Sequence, residues 1–139
     1  MRNVVVVAID RERYAVELRW VQEIVVLPHL TPVPTAPSSI AGAINHKGTI
    51  VPVLSARALV GRRGAGARAP RPGDAALLVA LPDQRIAIAV DRIDEVTTLE
   101  ARDEAGHELR DARGAIVPSL DPRDLYEAAR RQMSSGSAT

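Results

Sequence analysis

Residues 41–54 read AGAINHKGTIVPVL, in which two apolar segments flank the polar tetrapeptide NHKG. This pattern predicts two antiparallel strands joined by a four-residue hairpin loop, in which Gly48 can supply the positive φ that such a turn often needs. Pro52 has no backbone N–H, so the second strand should lie at a sheet edge or beside a bulge. Residues 55–61 begin with Ser and end with Gly, which predicts a short helix after the hairpin.

The segments before the hairpin are also typical of strands. Residues 3–9 (NVVVVAI) predict a buried strand, and the alternation in residues 14–18 (YAVEL) predicts a half-buried one. In residues 19–27 the first half fits either a helical turn or a strand, and the second half fits a strand. Four prolines between residues 28 and 37 then exclude a regular helix from the crossing to the hairpin.

The chain after the hairpin divides at residues 61–73 (GRRGAGARAPRPG), which predict a flexible connector because they hold only Gly, Ala, Pro and Arg. Beyond it, strands are predicted at residues 75–81, 85–90, 94–99 and 115–120, with a charged surface loop over 100–113. Asp121 and Pro122 predict the start of a C-terminal helix that ends at about Met133. A disordered tail is expected over residues 134–139.

Many short strands and one late helix predict an all-β protein of two small antiparallel barrels, not a βαβ fold. We expect one domain over residues 1–133, with the first barrel mainly in residues 10–60 and the second mainly in 74–120. The strings IVPVLSARALVG and IVPSLDPRDLYEA each pass from a strand with an internal Pro into a capped helix. This echo indicates an internal duplication.

The composition argues against several functions. The net charge is only +1, from 18 basic and 17 acidic side chains, which gives no general field for a polyanion. The absence of cysteine removes disulfides, thiolate metal sites and a cysteine nucleophile. No stretch approaches the roughly 20 apolar residues that span a bilayer, so we expect a cytoplasmic protein without membrane insertion.

The polar residues give no sign of catalysis. His29, His46 and His107 are far apart and lack the spacing of metal ligands, and no Gly-rich phosphate loop precedes a helix. A Ser/His/Asp set drawn from Ser55, His46 and Asp91 has no support in their spacing. We therefore expect no catalytic residue, no metal and no cofactor.

Three motifs stand in one order between residues 21 and 53. They are VQEI at 21–24, TPVPTAP at 31–37 and GAINHKGTIVPV at 42–53. In order and spacing they resemble the V-x-E-I, T-x-V-P-x-x-P and G-x-x-N-x-R-G-x-x-V-P-V elements of the CheW family of chemotaxis coupling proteins. Residues 90–96 (VDRIDEV) are similar to the family's V-D-x-V-x-x-V segment, and the closing Leu-Asp before the last helix also matches.

This resemblance implies two intertwined five-stranded barrels of the SH3-like or OB-like type, with a short C-terminal helix. It implies a non-catalytic adaptor that couples chemoreceptors to a histidine kinase in a bacterial array. The expected partners are the cytoplasmic tip of the receptor and the regulatory barrel domain of the kinase, and self-association through barrel contacts is a further option. The protein would then be recruited to membrane-associated receptor arrays.

The resemblance also assigns a set of residues to contact with the receptor or the kinase. They are Val21, Glu23, Ile40, Gly42, Asn45, Lys47, Gly48, Pro52 and Val53. An apolar patch around Val21, Ile40 and Val53 with a charged rim would supply the binding energy. The alternative for the glycines is a role in turns, and for the charges plain solvation.

The sequence departs from the family at three places. Lys47 stands where the family usually has Arg, Ser55 stands where it usually has Asp, and the segment 100–113 is shorter than usual. Lysine keeps the charge but loses the bidentate fork of arginine. These departures leave open a scaffold of a non-flagellar pathway, which controls surface motility, development or gene expression.

A second alternative is a nucleic-acid-binding barrel, because Arg62, Arg63, Arg68 and Arg71 form a local basic run. Binding of single strands relies on aromatic platforms for base stacking. The chain has one Trp, two Tyr and no Phe. A solvated connector is therefore the better explanation of the arginines, and no nucleic-acid partner is expected.

Overall fold

The computed structural model describes residues 1–61 and 66–137. The strands are β1 (Arg2–Ile9), β2 (Glu12–Glu17), β3 (Val21–Val26), β4 (Ile40–His46), β5 (Thr49–Ser55), β6 (Ala75–Ala80), β7 (Arg85–Val90), β8 (Arg92–Ala101), β9 (Glu108–Arg110) and β10 (Ile116–Pro118). The helices are α1 (Ala56–Val60) and α2 (Pro122–Ser137), and a 3₁₀ turn, Leu18–Trp20, precedes β3. The predicted mostly-β fold with a C-terminal helix is confirmed.

The strands form two five-stranded sheets, with the orders β10-β9-β8-β1-β2 and β3-β6-β7-β5-β4. The first sheet therefore takes its strands from both ends of the chain, and the second takes its strands from the middle. The predicted division into residues 10–60 and 74–120 differs from this pairing, because each sheet holds strands from both sides of the connector. The reason is that β1 is apolar on both faces and is flanked on one side by β2 and on the other by β8.

Two details of the predicted barrels are corrected. The strands are not all antiparallel, since β5 and β7 pair in parallel from Val53 opposite Ala87 to Ser55 opposite Ala89. Neither sheet is closed by a continuous ladder. Isolated bridges join the chain near their edges instead, between Ala15 and Ser119 in the first sheet and between Thr31 and Ala43 in the second.

The core has three parts, and strict alternation along the strands creates them. In β7 the large residues Ile86, Ile88 and Val90 enter a core shared by both sheets, whereas the small residues Ala87 and Ala89 enter a core of the second sheet alone. A third core fills the first sheet. Burying each large aliphatic side chain contributes about 1.5–3 kcal/mol, so the fold is stable without phenylalanine.

The connection between β4 and β5 is tighter than the four-residue loop we expected. Only Lys47 and Gly48 lie outside the strands, and both have positive φ, 52° and 84°. This is the two-residue turn whose twist matches that of paired strands. The side-chain Oδ1 of Asn45 accepts a hydrogen bond from the Gly48 N–H at 2.9 Å, which stabilises the turn.

Pro52 lies in a strand that is inside the sheet, so the prediction of an edge position is wrong. The missing N–H is tolerated because parallel pairing with β7 begins one residue later, at Val53. The alternative of a nearby irregularity is supported, since the pairing of β4 with β5 shifts between Ile40 and Gly42, opposite Leu54 and Val53.

The two helices begin as predicted. The Ser55 side chain accepts a hydrogen bond from the Ala58 N–H at 3.1 Å, and Asp121 Oδ1 accepts one from the Arg123 N–H at 2.9 Å. However, α2 runs to Ser137 and not to about Met133, because each added residue of a helix gains a backbone hydrogen bond even where propensity is weak. Residues 138–139 of the predicted tail lie outside the described residues.

The predicted loop over residues 100–113 is also partly wrong. Strand β8 continues to Ala101, and β9 pairs with it, with Leu109 opposite Ala101. Leu109 is fully buried in the core of the first sheet, and this apolar anchor is why the charged segment folds back as a strand. Of the predicted connector, residues 62–65 lie outside the described residues.

An ion pair joins the two sheets at the point where β7 passes into β8. Arg57 Nε, on α1, lies 2.6 Å from Asp91 Oδ1. The other oxygen, Oδ2, accepts a hydrogen bond from the Asp10 N–H at 2.7 Å, in the turn between β1 and β2. The hydrogen bond to Asp91 is the main cause of a raised pKa of the Arg57 guanidinium. Asp91 therefore links three separate chain segments.

Candidate interaction surface

Two edge strands of the second sheet meet and bring the motif residues together. Strands β3 and β4 stand at opposite ends of the strand order, yet His46 Nε2 lies 3.1 Å from Glu23 Oε2. The sheet is therefore rolled, and backbone hydrogen bonds of 2.8 and 2.9 Å between Thr31 and Ala43 hold the roll. The V-x-E-I motif and the hairpin are thus neighbours in space although about twenty residues separate them in sequence.

The hairpin turn is the exposed end of this arrangement. Asn45, Lys47 and Gly48 are all solvent-exposed. Asn45 is engaged in the turn itself, through its hydrogen bond to Gly48. Within the described residues, the Lys47 side chain forms no hydrogen bond and no ion pair, so its charge faces solvent.

Gly42 is buried, and it has a structural role. Its φ is +148°, and a Cβ at this position would lie 2.7 Å from the carbonyl oxygen of Thr31. Only glycine permits this close approach of two backbones. The interpretation of Gly42 as a residue of the close approach thus has direct structural support, and its contact with a partner stays a prediction.

The predicted apolar patch does not have the expected composition. Val53 is fully buried in the core of the second sheet, because β5 turns this side chain inward. Val21 and Ile40 are half-buried and pack against the shared core. Val53 therefore cannot contact a partner in this structure, and Pro52 is likewise only partly exposed.

Other apolar side chains are exposed, and the sequence reasoning missed their role. Ile24 and Val26 on β3 are 43% and 70% exposed, and Val96 on β8 is 57% exposed. We call these three residues the apolar rim. The signal in the sequence is the unbroken run Ile24-Val25-Val26, because a strand with apolar residues on both faces needs cover on both.

The strand register shows where the apolar rim points. Ile24 lies opposite Leu77, and Val96 lies opposite Val5. Both of these partners are buried in the shared core. Directly paired residues project from the same face of a sheet. The rim residues therefore lie on the faces that the two sheets turn towards each other, at positions the shared core does not cover.

The charged residues near Val96 form a network. Arg13 on β2 lies 3.7 Å from Glu95 and 3.2 Å from Asp111. The pKa of the Asp111 carboxyl is lowered, chiefly by a hydrogen bond from the Ala115 N–H. Charged groups beside exposed apolar residues are typical of the border of a protein–protein interface.

The aromatic residues do not offer a stacking platform. The guanidinium groups of Arg19 and Arg123 lie 4.8 and 4.7 Å from the centre of the Trp20 ring, and Arg130 lies 5.8 Å from that of Tyr126. The predicted basic run is also divided: Arg68 pairs with Asp74 at 3.2 Å, and Arg62 and Arg63 lie outside the described residues.

Across residues 1–61 and 66–137, no three His, Asp or Glu side chains come together as a metal site. In the same part of the chain, neither helix has the length and apolarity that a membrane crossing demands.

By its fold, the chain is a β-rich module of two rolled sheets around a shared core, with an apolar rim between the sheets. A family model described as the CheW-like domain matches residues 3–116, and the chain belongs to this family. The scaffolding protein TtCheW from Thermoanaerobacter tengcongensis has a similar crystal structure, with a TM-score of 0.73 and 24% sequence identity over 91% of this chain and 92% of that chain. No curated protein is similar enough to the chain to count as a match.

Proposed function

We propose that the chain is a non-catalytic adaptor that couples chemoreceptors to a histidine kinase in a bacterial chemosensory array. Membership of the CheW-like family supports this role, as does the likeness of the fold to that of a protein described as a scaffolding protein. The apolar rim is the observation that carries the proposal, since exposed aliphatic side chains on facing sheets are suited to binding another protein.

The rim fits the receptor partner best. The receptor tip is a helical coiled coil, and a helix can lay apolar side chains into a groove between two sheets. Ile24 and Val26 would form one side of this groove and Val96 the other. The hairpin at Lys47 and Gly48 would supply the polar border on the side of β3, because Glu23 already touches His46 there.

The kinase partner requires a second surface. We assign to it the outer face of the hairpin, where Ile50 is 65% exposed and lies opposite Asn45. Two separate surfaces allow one adaptor to hold both partners at the same time, which is what coupling demands. Bound in this way, the protein would be cytoplasmic and would be recruited to membrane-associated arrays. The same surfaces would serve a flagellar array or one of another pathway.

The decisive experiment is a pull-down with two separate baits, a receptor-tip fragment and the regulatory domain of the cognate kinase. We expect the full chain to bind each bait, and to bind both together in a ternary complex on a sizing column. Binding to neither bait would overturn the proposal. Binding to one bait only would show a protein that occupies a partner without coupling it.

A further inference from the structure

The new inference concerns the neighbouring residues His46 and Lys47, and it rests on the proposed function. We propose that His46 is a positioning residue that holds Glu23 and thereby leaves Lys47 free to pair with a carboxylate of the receptor tip. The hairpin would then select a receptor that presents an acidic side chain opposite its turn.

The first step is the engagement of Glu23. His46 Nδ1 is buried and has no hydrogen-bond partner within the described residues. Because a buried N–H without an acceptor is costly, we place the ring proton on Nε2, which donates to Glu23 Oε2 at 3.1 Å. The His46 side chain is only 15% exposed, so its ring is fixed in this orientation.

The second step is the freedom of Lys47. The turn holds this residue at a φ of 52° with its side chain exposed. Lys47 has a flexible four-carbon chain and follows His46 directly, so Glu23 is the nearest carboxylate that could capture it. The hydrogen bond from His46 occupies Glu23, and Lys47 has no ion pair in the part of the chain that is described.

Two adjacent residues thus divide two tasks. His46 satisfies the acidic residue of β3, and Lys47 offers an unpaired positive charge at the most exposed point of the hairpin. A partner with a carboxylate at this point gains an ion pair that the adaptor does not have to break. A partner with a basic residue there meets like charge, which costs affinity.

The test is a double-mutant cycle in the full chain, with the affinity for the receptor-tip fragment as the readout. His46→Val releases Glu23, which can then pair with Lys47, and we expect the affinity to fall about three- to fivefold. Lys47→Met should lower it by a similar factor. In the Lys47→Met background, His46→Val should change the affinity by less than about twofold.

Two further variants separate positioning from a merely structural effect. Glu23→Gln combined with His46→Val removes the competing charge, and we expect it to restore the affinity to within about twofold of that of the unaltered chain. His46→Gln keeps an N–H donor for Glu23 and should bind as the unaltered chain does, which also covers a failure of His46→Val to fold.

The inference is overturned if His46→Val binds with unchanged affinity, if its effect persists without Lys47, or if Glu23→Gln fails to restore binding. It is also overturned if His46→Gln, correctly folded, binds weakly. In each of these cases the unaltered chain still binds its receptor and kinase baits, so the proposed function stands. Loss of binding by the unaltered chain would instead remove the proposed function.

Discussion

Arg57 and Asp91 form a 2.6 Å ion pair that joins the helix after the second sheet to the corner where the chain crosses into the first. The second oxygen of Asp91 binds the backbone of Asp10 in the first hairpin. One carboxylate thus fixes how the two sheets are oriented, and this orientation determines the spacing of the apolar rim.

We predict that Asp91→Asn destabilises the protein by about 1.5–3 kcal/mol, because an amide replaces a charged acceptor of two hydrogen bonds. The midpoint of urea unfolding measures this change. Asp83→Asn is the matched control, since Asp83 is exposed in the turn between β6 and β7 and should change stability by less than about 0.5 kcal/mol. Equal effects of the two substitutions would contradict the role of Asp91.

We predict that Gly42→Ala costs more than Gly48→Ala. Both glycines have positive φ, so both substitutions strain the backbone by about 1–2 kcal/mol. Only Gly42 also faces a backbone oxygen, Thr31 O, at 2.7 Å from an added Cβ, whereas Gly48 faces open space. We expect the additional clash to lower the free energy of unfolding by at least about 1 kcal/mol more. Urea unfolding of the two variants checks the order, and a larger loss for Gly48→Ala would refute it.

We predict an acid-dependent loss of stability through Asp121. The hydrogen bond from the Arg123 side chain is the main cause that lowers the pKa of the Asp121 carboxyl in the folded protein. Folding therefore favours the ionised form. This contribution is present above the ordinary aspartate pKa of about 3.9, and it is lost as the pH falls through the lower pKa of the folded state.

Unfolding midpoints between neutral pH and about pH 3 test this, with Asp121→Asn as the variant and Asp124→Asn as the control in the same helical turn. Asp121→Asn should be less stable than the unaltered chain at neutral pH, and the difference should shrink in acid. Asp124→Asn should keep the pH profile of the unaltered chain. A difference that stays constant with pH would exclude the contribution of Asp121.

We predict that Ile24→Ser weakens binding to the receptor-tip fragment by about tenfold, the effect of losing a central apolar contact. Ile116→Ser is a matched control, because Ile116 is 41% exposed, close to the 43% of Ile24, but lies on β10. Isothermal titration with each variant measures the affinities. If both substitutions weakened receptor binding equally, the apolar rim would not be the receptor site.

Much of the fold was predictable because the chain reports its local structure clearly. The alternation in residues 85–90 gave the exact bounds of β7, and Ser55 and Asp121 marked both helix starts. The strings IVPVLSARALVG and IVPSLDPRDLYEA do form equivalent units, β5–α1 and β10–α2, one in each sheet. Capping and alternation depend on near neighbours, which a sequence shows directly.

What escaped prediction depends on distant pairing. No local pattern states that β1 pairs with β8, so the division of strands between the sheets was wrong. For the same reason Val53 was placed in a surface patch, although β7 covers it in parallel pairing. The exposure of Ile24 and the contact of Glu23 with His46 follow from the roll of the second sheet, which the order of motifs alone does not reveal.

The interleaving of the strands also has a consequence for how the protein is made. While the chain emerges from the ribosome, β1 and β2 are complete early, but the next neighbour of β1 is β8, and β10 comes later still. The second sheet can assemble first, from β3 to β7, as one uninterrupted stretch. The first sheet must wait with a bare apolar strand, so folding is slow by contact order and ends with the C-terminal helix. A chain that stops early would hold the hairpin but lack Val96 and the finished rim.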